Sequence, residues 1–144
     1  MNKRLQFYID GKWVDPTTPK TLDVINPATE EPIGQISMGS KADVDKAVKA
    51  ARRAFETFSQ TTKEERLALL TKILEVYQRR YGEFVETISL EMGAPLWLSK
   101  AAQAATGIAH VTQTIKILKD FEFTKVQGTT GIVHEPVGVV GMIT

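Results

Sequence analysis

Residues 135–144 read EPVGVVGMIT, and the way that stretch is read decides the fold. Val139, Val140, Met142 and Ile143 make an apolar run of the kind that opens a buried strand. A buried parallel strand needs strands beside it and helices over both faces. The run therefore predicts an α/β domain whose sheet is incomplete within these 144 residues. Its glycines resemble part of a dinucleotide fingerprint, but that motif needs a strand before the glycines and a helix after them. Gly138 and Gly141 lie within or beside the predicted strand and no helical pattern follows, so the glycine spacing alone is a weak signal.

Reading back from that stretch, FEFTKVQ (121–127) alternates apolar and polar residues, as a half-exposed strand does. Gly128-Thr-Thr-Gly131 follows an extended segment and reads as a turn. The GxxG loop of a KH domain joins two helices, so the RNA-binding reading is set aside. Before these strands come four predicted helices. From Ser40, an N-cap with Asp43 in the first turn, Val44, Ala47, Val48, Ala51, Phe55 and Phe58 share one face. Thr62-Lys-Glu-Glu65 is a capping box, and Leu67, Leu70, Ile73, Leu74, Tyr77 and Tyr81 form the second apolar stripe. Gly82 weakens the continuation, and a shorter helix spans Glu83–Met92, ended by Gly93 and Pro95. The fourth helix runs from about Leu96 to Leu118. Its face is built from Ala101, Ala104, Ala105, Ile108, Val111 and Ile115.

At the amino end, Phe7–Ile9 and Lys12–Val14 flank Asp10-Gly11, a pair that tolerates the positive φ of a type I′ hairpin turn. Pro16 and Pro19 interrupt regular structure. Leu22–Ile25 and Ile33–Ser37 form a second pair of short strands, with a turn signal at Asn26-Pro27. The order is strands, four helices, strands.

Composition narrows the function. Lys and Arg number 18 against 17 Asp and Glu, a net charge of +1 that gives no general attraction to nucleic acid or an anionic membrane. The basic cluster Lys49, Arg52 and Arg53 reads as a solvated helix face. With no cysteine, the chain has no disulfide, thiolate nucleophile or Cys-based zinc site of its own. His110 and His134 stand apart and read as structural or surface residues. No catalytic constellation is visible, so no catalytic residue is assigned. The amino-terminal residues lack an apolar signal region, and no apolar run approaches the ~18 residues that span a bilayer. These features predict a soluble, cytoplasmic protein.

Taken in order, FYIDGKWV, INPATEEPIGQI, ADVDKAVKAARRAF, ERLALLTKILEVYQRRYGEFVETISLEMGAP and EPVGVVGMIT resemble the N-terminal part of the NAD(P)-dependent aldehyde dehydrogenases. The resemblance covers Phe7 to Thr144. It implies that residues 1–144 are the N-terminal part of a cofactor-binding domain, ending at the start of a Rossmann-like sheet, with the catalytic domain absent. The parent enzyme would oxidise an aldehyde to a carboxylic acid with NAD or NADP, as a homo-oligomer. Its nucleophilic cysteine, forming a thiohemiacetal and then a thioester, would lie outside this chain. By the same resemblance, Ile143 and Thr144 match strand-end residues that touch the cofactor. Ile25 and Glu91 match positions that hold a monovalent cation in some members, through a carbonyl and a carboxylate. Residues 129–135 match a protruding oligomerisation strand, which alone would leave an exposed edge. The chain by itself is expected to be inactive and marginally stable. The alternative is a stand-alone, non-catalytic interaction or oligomerisation module.

Overall fold

The structure is a computed structural model and describes residues 2–143. The amino-terminal hairpin forms where the sequence places it, from β2 (Phe7–Ile9) and β3 (Lys12–Val14), with β1 (Asn2–Arg4) before it. Asp10 and Gly11 have φ of 54° and 73°, the two left-handed residues that a type I′ turn requires. Tyr8 and Trp13 are direct cross-strand partners, and their rings meet edge to face at 5.2 Å.

The second pair, β4 (Thr21–Asn26) and β5 (Glu31–Ser37), is antiparallel with a register irregularity between Val24 and Ile25. The Asn26 side chain accepts the Ala28 N–H at 2.9 Å and so builds the turn that Asn26-Pro27 predicts. The other edge of β5 is filled by β1, which runs parallel to it, giving the sheet order β1-β5-β4. Strand β1 is absent from the sequence reading. Its three polar residues carry no apolar alternation, and its place is set by the free edge of β5.

Both predicted helix starts close as reciprocal capping boxes. The Ser40 hydroxyl and Asp43 side chain do so at α1 (Lys41–Phe58), and Thr62 and Glu65 at α2 (Lys63–Arg79). Helix α3 (Tyr81–Met92) begins two residues earlier than Gly82 suggests, because Gly82 sits in its first turn, where an Arg80–Glu83 pair at 2.7 Å braces the start. Gly93 ends it with φ 67°.

The predicted fourth helix is a run with a wider middle: α4 (Leu96–Leu98), a π turn over Ser99–Gln103, then α5 (Ala104–Asp120). The added width turns Ala101 out to solvent, against its predicted place on the packed face, and puts Ser99 inside instead. Among the described residues the buried apolar ones are Ala50, Val85 and Ala104. Val85 and Ala104 lie on the packed helices α3 and α5, and Ala50 lies apart on α1. On α1 the predicted apolar face is largely open. Val44, Val48 and Phe58 are exposed, and Ala51 and Phe55 are half-buried.

After α5, β6 (Thr124–Gln127) and β7 (Thr130–Val133) form a hairpin around Gly128, whose φ is 61°. Phe121 and Phe123, predicted as strand, instead make an aromatic cluster with His134, at centroid distances of 4.9 Å (Phe121–Phe123) and 5.4 Å (Phe121–His134). The Arg66 guanidinium lies 5.2 Å over Phe123. The expected strand from Val139 does not form. Residues 135–143 have no ladder partner, and Met142 and Ile143 are 92% and 96% exposed rather than buried. Apolar residues favour a strand only where a neighbouring edge offers N–H and C=O groups, and no described strand lies beside these.

Candidate functional site

Three places carry the sequence-derived site residues, and the structure treats them differently. The first is the carboxy-terminal segment. Ile143 projects into solvent, and Thr144 lies outside the described residues. Gly138 holds φ 112°, and a Cβ on it would stand 3.4 Å from Arg52 Nη1, so the segment passes close to the basic side of α1. A dinucleotide phosphate sits on backbone N–H groups at a helix start that follows a strand. Residues 134–143 offer neither that strand nor that helix.

The second place is the cleft between the β1-β5-β4 sheet and the end of α3. Gly93 draws these elements together: a Cβ there would stand 2.9 Å from Pro27 Cγ and 3.0 Å from Ala28 N. A cavity of about 170 Å³ results, lined among others by Arg4, Val24, Gly34, Thr87 and Glu91. Glu91 thus reaches the cleft, while Ile25 is not part of its lining. Among the described residues no group of three or more His, Cys, Asp or Glu side chains is placed to hold a metal ion.

The third is residues 129–135. The strand there, β7, is shorter than expected and pairs with β6. Val126 on β6 is 77% exposed, and the hairpin pairs with no other described strand.

The sequence places Asp43 at a helix start, and the structure makes it the most highly connected carboxylate among the described residues. Asp43 is buried and accepts four hydrogen bonds, from Thr17 N (3.0 Å), Thr17 Oγ1 (2.6 Å), Ser40 N (2.9 Å) and Ser40 Oγ (2.7 Å). Lys46 Nζ donates to Thr17 Oγ1 at 3.0 Å. The donors, Thr17 first and Ser40 next, hold the Asp43 carboxyl far below the usual carboxylate range. A carboxylate so engaged is a fastener between the loop after β3 and the start of α1. The capping motif shows half of this arrangement in the sequence, and Thr17, 26 positions away, is invisible there.

The other polar cluster lies where α2, α3 and the π turn meet. Tyr77 donates to the Ala104 carbonyl at 2.9 Å, and Tyr81 donates to the Lys100 carbonyl. Burial pushes the Tyr77 hydroxyl above its usual range, with Tyr81 adding to the shift.

The model of the aldehyde dehydrogenase family matches residues 13–144. The chain belongs to the aldehyde dehydrogenase family. It is 46% identical over 140 residues to a 3-succinoylsemialdehyde-pyridine dehydrogenase from Pseudomonas sp, covering 96% of this chain and 29% of that protein. The fold superposes on the aldehyde dehydrogenase of Bartonella henselae with a TM-score of 0.87 at 46% identity, over 90% of this chain and 28% of the other. It superposes on a mutant aldehyde dehydrogenase C of Pseudomonas syringae, complexed with NAD+ and octanal, with a TM-score of 0.88 at 42% identity. That match covers 92% of this chain and 27% of the other. This aldehyde dehydrogenase chain thus spans under a third of the length of the relatives it matches. Its α/β architecture of short strands and helices with small, incomplete sheets is that of the corresponding part of those structures.

Proposed function

We propose that these residues form the N-terminal, non-catalytic part of an enzyme that oxidises an aldehyde to a carboxylic acid with NAD+ or NADP+. The single observation that carries the reading is the agreement in both sequence and fold with relatives solved with NAD+, one of them with octanal as well. The chemistry requires a nucleophile that adds to the aldehyde carbonyl and an acceptor for the hydride. This chain has no cysteine, so the thiolate belongs to polypeptide outside it. When bound, the nicotinamide supplies the hydride acceptor. The chain's own contribution is structural, through the helical layer and the segment leading to Ile143 and Thr144. In the parent enzyme those two residues contact the cofactor, and the solvent-facing position of Ile143 leaves its side chain free to do so.

The parent assembles as a homo-oligomer through residues 129–135. The support is that β7 pairs only with β6 among the described residues, which leaves an edge for a further strand. We place the enzyme in the cytoplasm. No helix among the described residues is long and apolar enough to cross a membrane.

The test is a pair of assays with aliphatic and aromatic aldehydes, following absorbance of the reduced nicotinamide. Purified residues 1–144 are expected to give no turnover with either NAD+ or NADP+. The polypeptide extended to the length of its relatives is expected to give turnover that a thiol-alkylating reagent abolishes. Turnover by the cysteine-free chain would overturn the proposal, as would an inactive extended polypeptide that binds neither nucleotide.

A further inference from the structure

We propose that the π turn at Ser99–Gln103 is a register-setting insertion, held open by the Tyr77 and Tyr81 hydroxyls, that fixes the direction in which the Leu96–Leu98 turn presents Trp97. The starting observation is a pair of residues that α-helical spacing would separate. Ser99 and Ala104 are both 0% exposed. Five residues along an α-helix advance by about 500°, leaving the two side chains about 140° apart. One narrow buried face would not take both. Here the Ala104 N–H bonds to the Ser99 carbonyl, one residue further back than in an α-helix. The wider turn absorbs the extra residue and brings both onto the packed side.

Several polar groups at the insertion have identified partners. The Ser99 hydroxyl donates to Gln103 Oε1 at 3.0 Å, and the Gln103 amide reaches Met92 Sδ at 3.8 Å. The Lys100 and Ala104 carbonyls, within and just beyond the turn, receive the Tyr81 and Tyr77 hydroxyls. These tyrosines come from either side of the α2–α3 junction, so the helix junction and the insertion are fastened together. The Tyr77 ring is itself fixed, stacked on Phe84 at 4.2 Å with an interplanar angle of 9°. Removing one residue from the turn would restore α-helical spacing and rotate everything before Ser99 by about 100°. Trp97, now 69% exposed, would face a different direction.

Backbone hydrogen exchange on the complete polypeptide that carries this chain tests the proposal. Tyr77→Phe and Tyr81→Phe keep both rings and remove one hydroxyl each. Each is expected to speed exchange at the amides of residues 103–106 about fivefold to tenfold, with the amides of residues 45–58 in α1 unchanged. Unchanged protection at 103–106 in both variants would overturn the proposal. A second arm deletes Ala101, the residue turned to solvent, in a background where every tryptophan of the polypeptide except Trp97 is replaced by phenylalanine. The Trp97 emission maximum is expected to shift, and Tyr81→Phe is expected to have no further effect on exchange there. Equal acceleration by Tyr81→Phe with and without the deletion would overturn it. If the deletion prevents folding, the hydroxyl variants decide alone.

Discussion

The Tyr77 ring lies across α5 at Gly107, so close that a Cβ on Gly107 would stand 2.5 Å from the Tyr77 hydroxyl oxygen and 2.6 Å from Cζ. Gly107 is helical, and its usual cost in a helix is about 1 kcal/mol relative to alanine. Here that preference is overridden by the space the ring needs. Gly107→Ala is expected to destabilise by about 1–3 kcal/mol despite the better helix former, because the ring must leave Phe84 or the helices must part. Urea unfolding measures it, and a more stable Gly107→Ala protein would contradict the packing described.

Gly93 is constrained twice, by its φ of 67° and by the approach of Pro27 and Ala28. Gly93→Ala is expected to cost about 2 kcal/mol or more. Gly93→Asn separates the two causes. Asparagine tolerates the left-handed conformation, but its Cβ meets Pro27 Cγ as alanine's does. Little recovery in the asparagine variant is expected, and full recovery would leave the backbone angle as the sole constraint.

Asp43 gives stability a definite pH dependence. Its folded carboxyl is held below the ordinary range, so its contribution is complete above the unfolded value of about 3.9 and is lost as pH falls from there toward the depressed folded value. Thermal melts from pH 6 down to pH 2 are expected to show a steeper fall in Tm for the native protein than for Asp43→Asn. Asp43→Asn is expected to melt lower at pH 6, since an amide cannot accept all four donors. Parallel curves would remove Asp43 from the account.

The ion pair between Arg53 Nη2 and Asp10 Oδ2, at 2.9 Å, joins α1 to the turn of the first hairpin, with both side chains more than half exposed. Water and salt screen such a pair. Arg53→Ala is expected to change stability by less than about 1 kcal/mol, with the difference shrinking in 0.5 M salt. A larger, salt-independent loss would mean that the arginine stem contributes by packing.

What the sequence reveals and conceals follows from the range of the interactions. The Asp10-Gly11 turn, the Ser40 and Thr62 caps and the Gly93 terminus depend on residues within a few positions, and all stand where the sequence puts them. Three features depend on distant partners. Strand β1 exists because β5 has a free edge. The packed face of the fourth helix departs from a 3.6-residue period because Tyr77 and Tyr81 satisfy an inserted turn. Val139–Ile143 stays out of a sheet because no described strand lies next to it. The site residues divide in the same way. Glu91 arrives at its cleft on a helix whose end was readable. Ile25 follows a register irregularity in β4, which no alternation pattern reveals.

The parallel ladder between β1 and β5 joins Asn2 to Gly34 and Arg4 to Ile36, closing a long loop around the first hairpin. Such a closure costs chain entropy before its own hydrogen bonds can form, and its template must already exist. The β4–β5 hairpin, with its short Asn26-Pro27 turn, supplies that template from local contacts. β4–β5 is therefore expected to pair early, with the amino-terminal strand docking after it. A vectorially synthesised chain has its first strand waiting for residues that leave the ribosome more than thirty positions later.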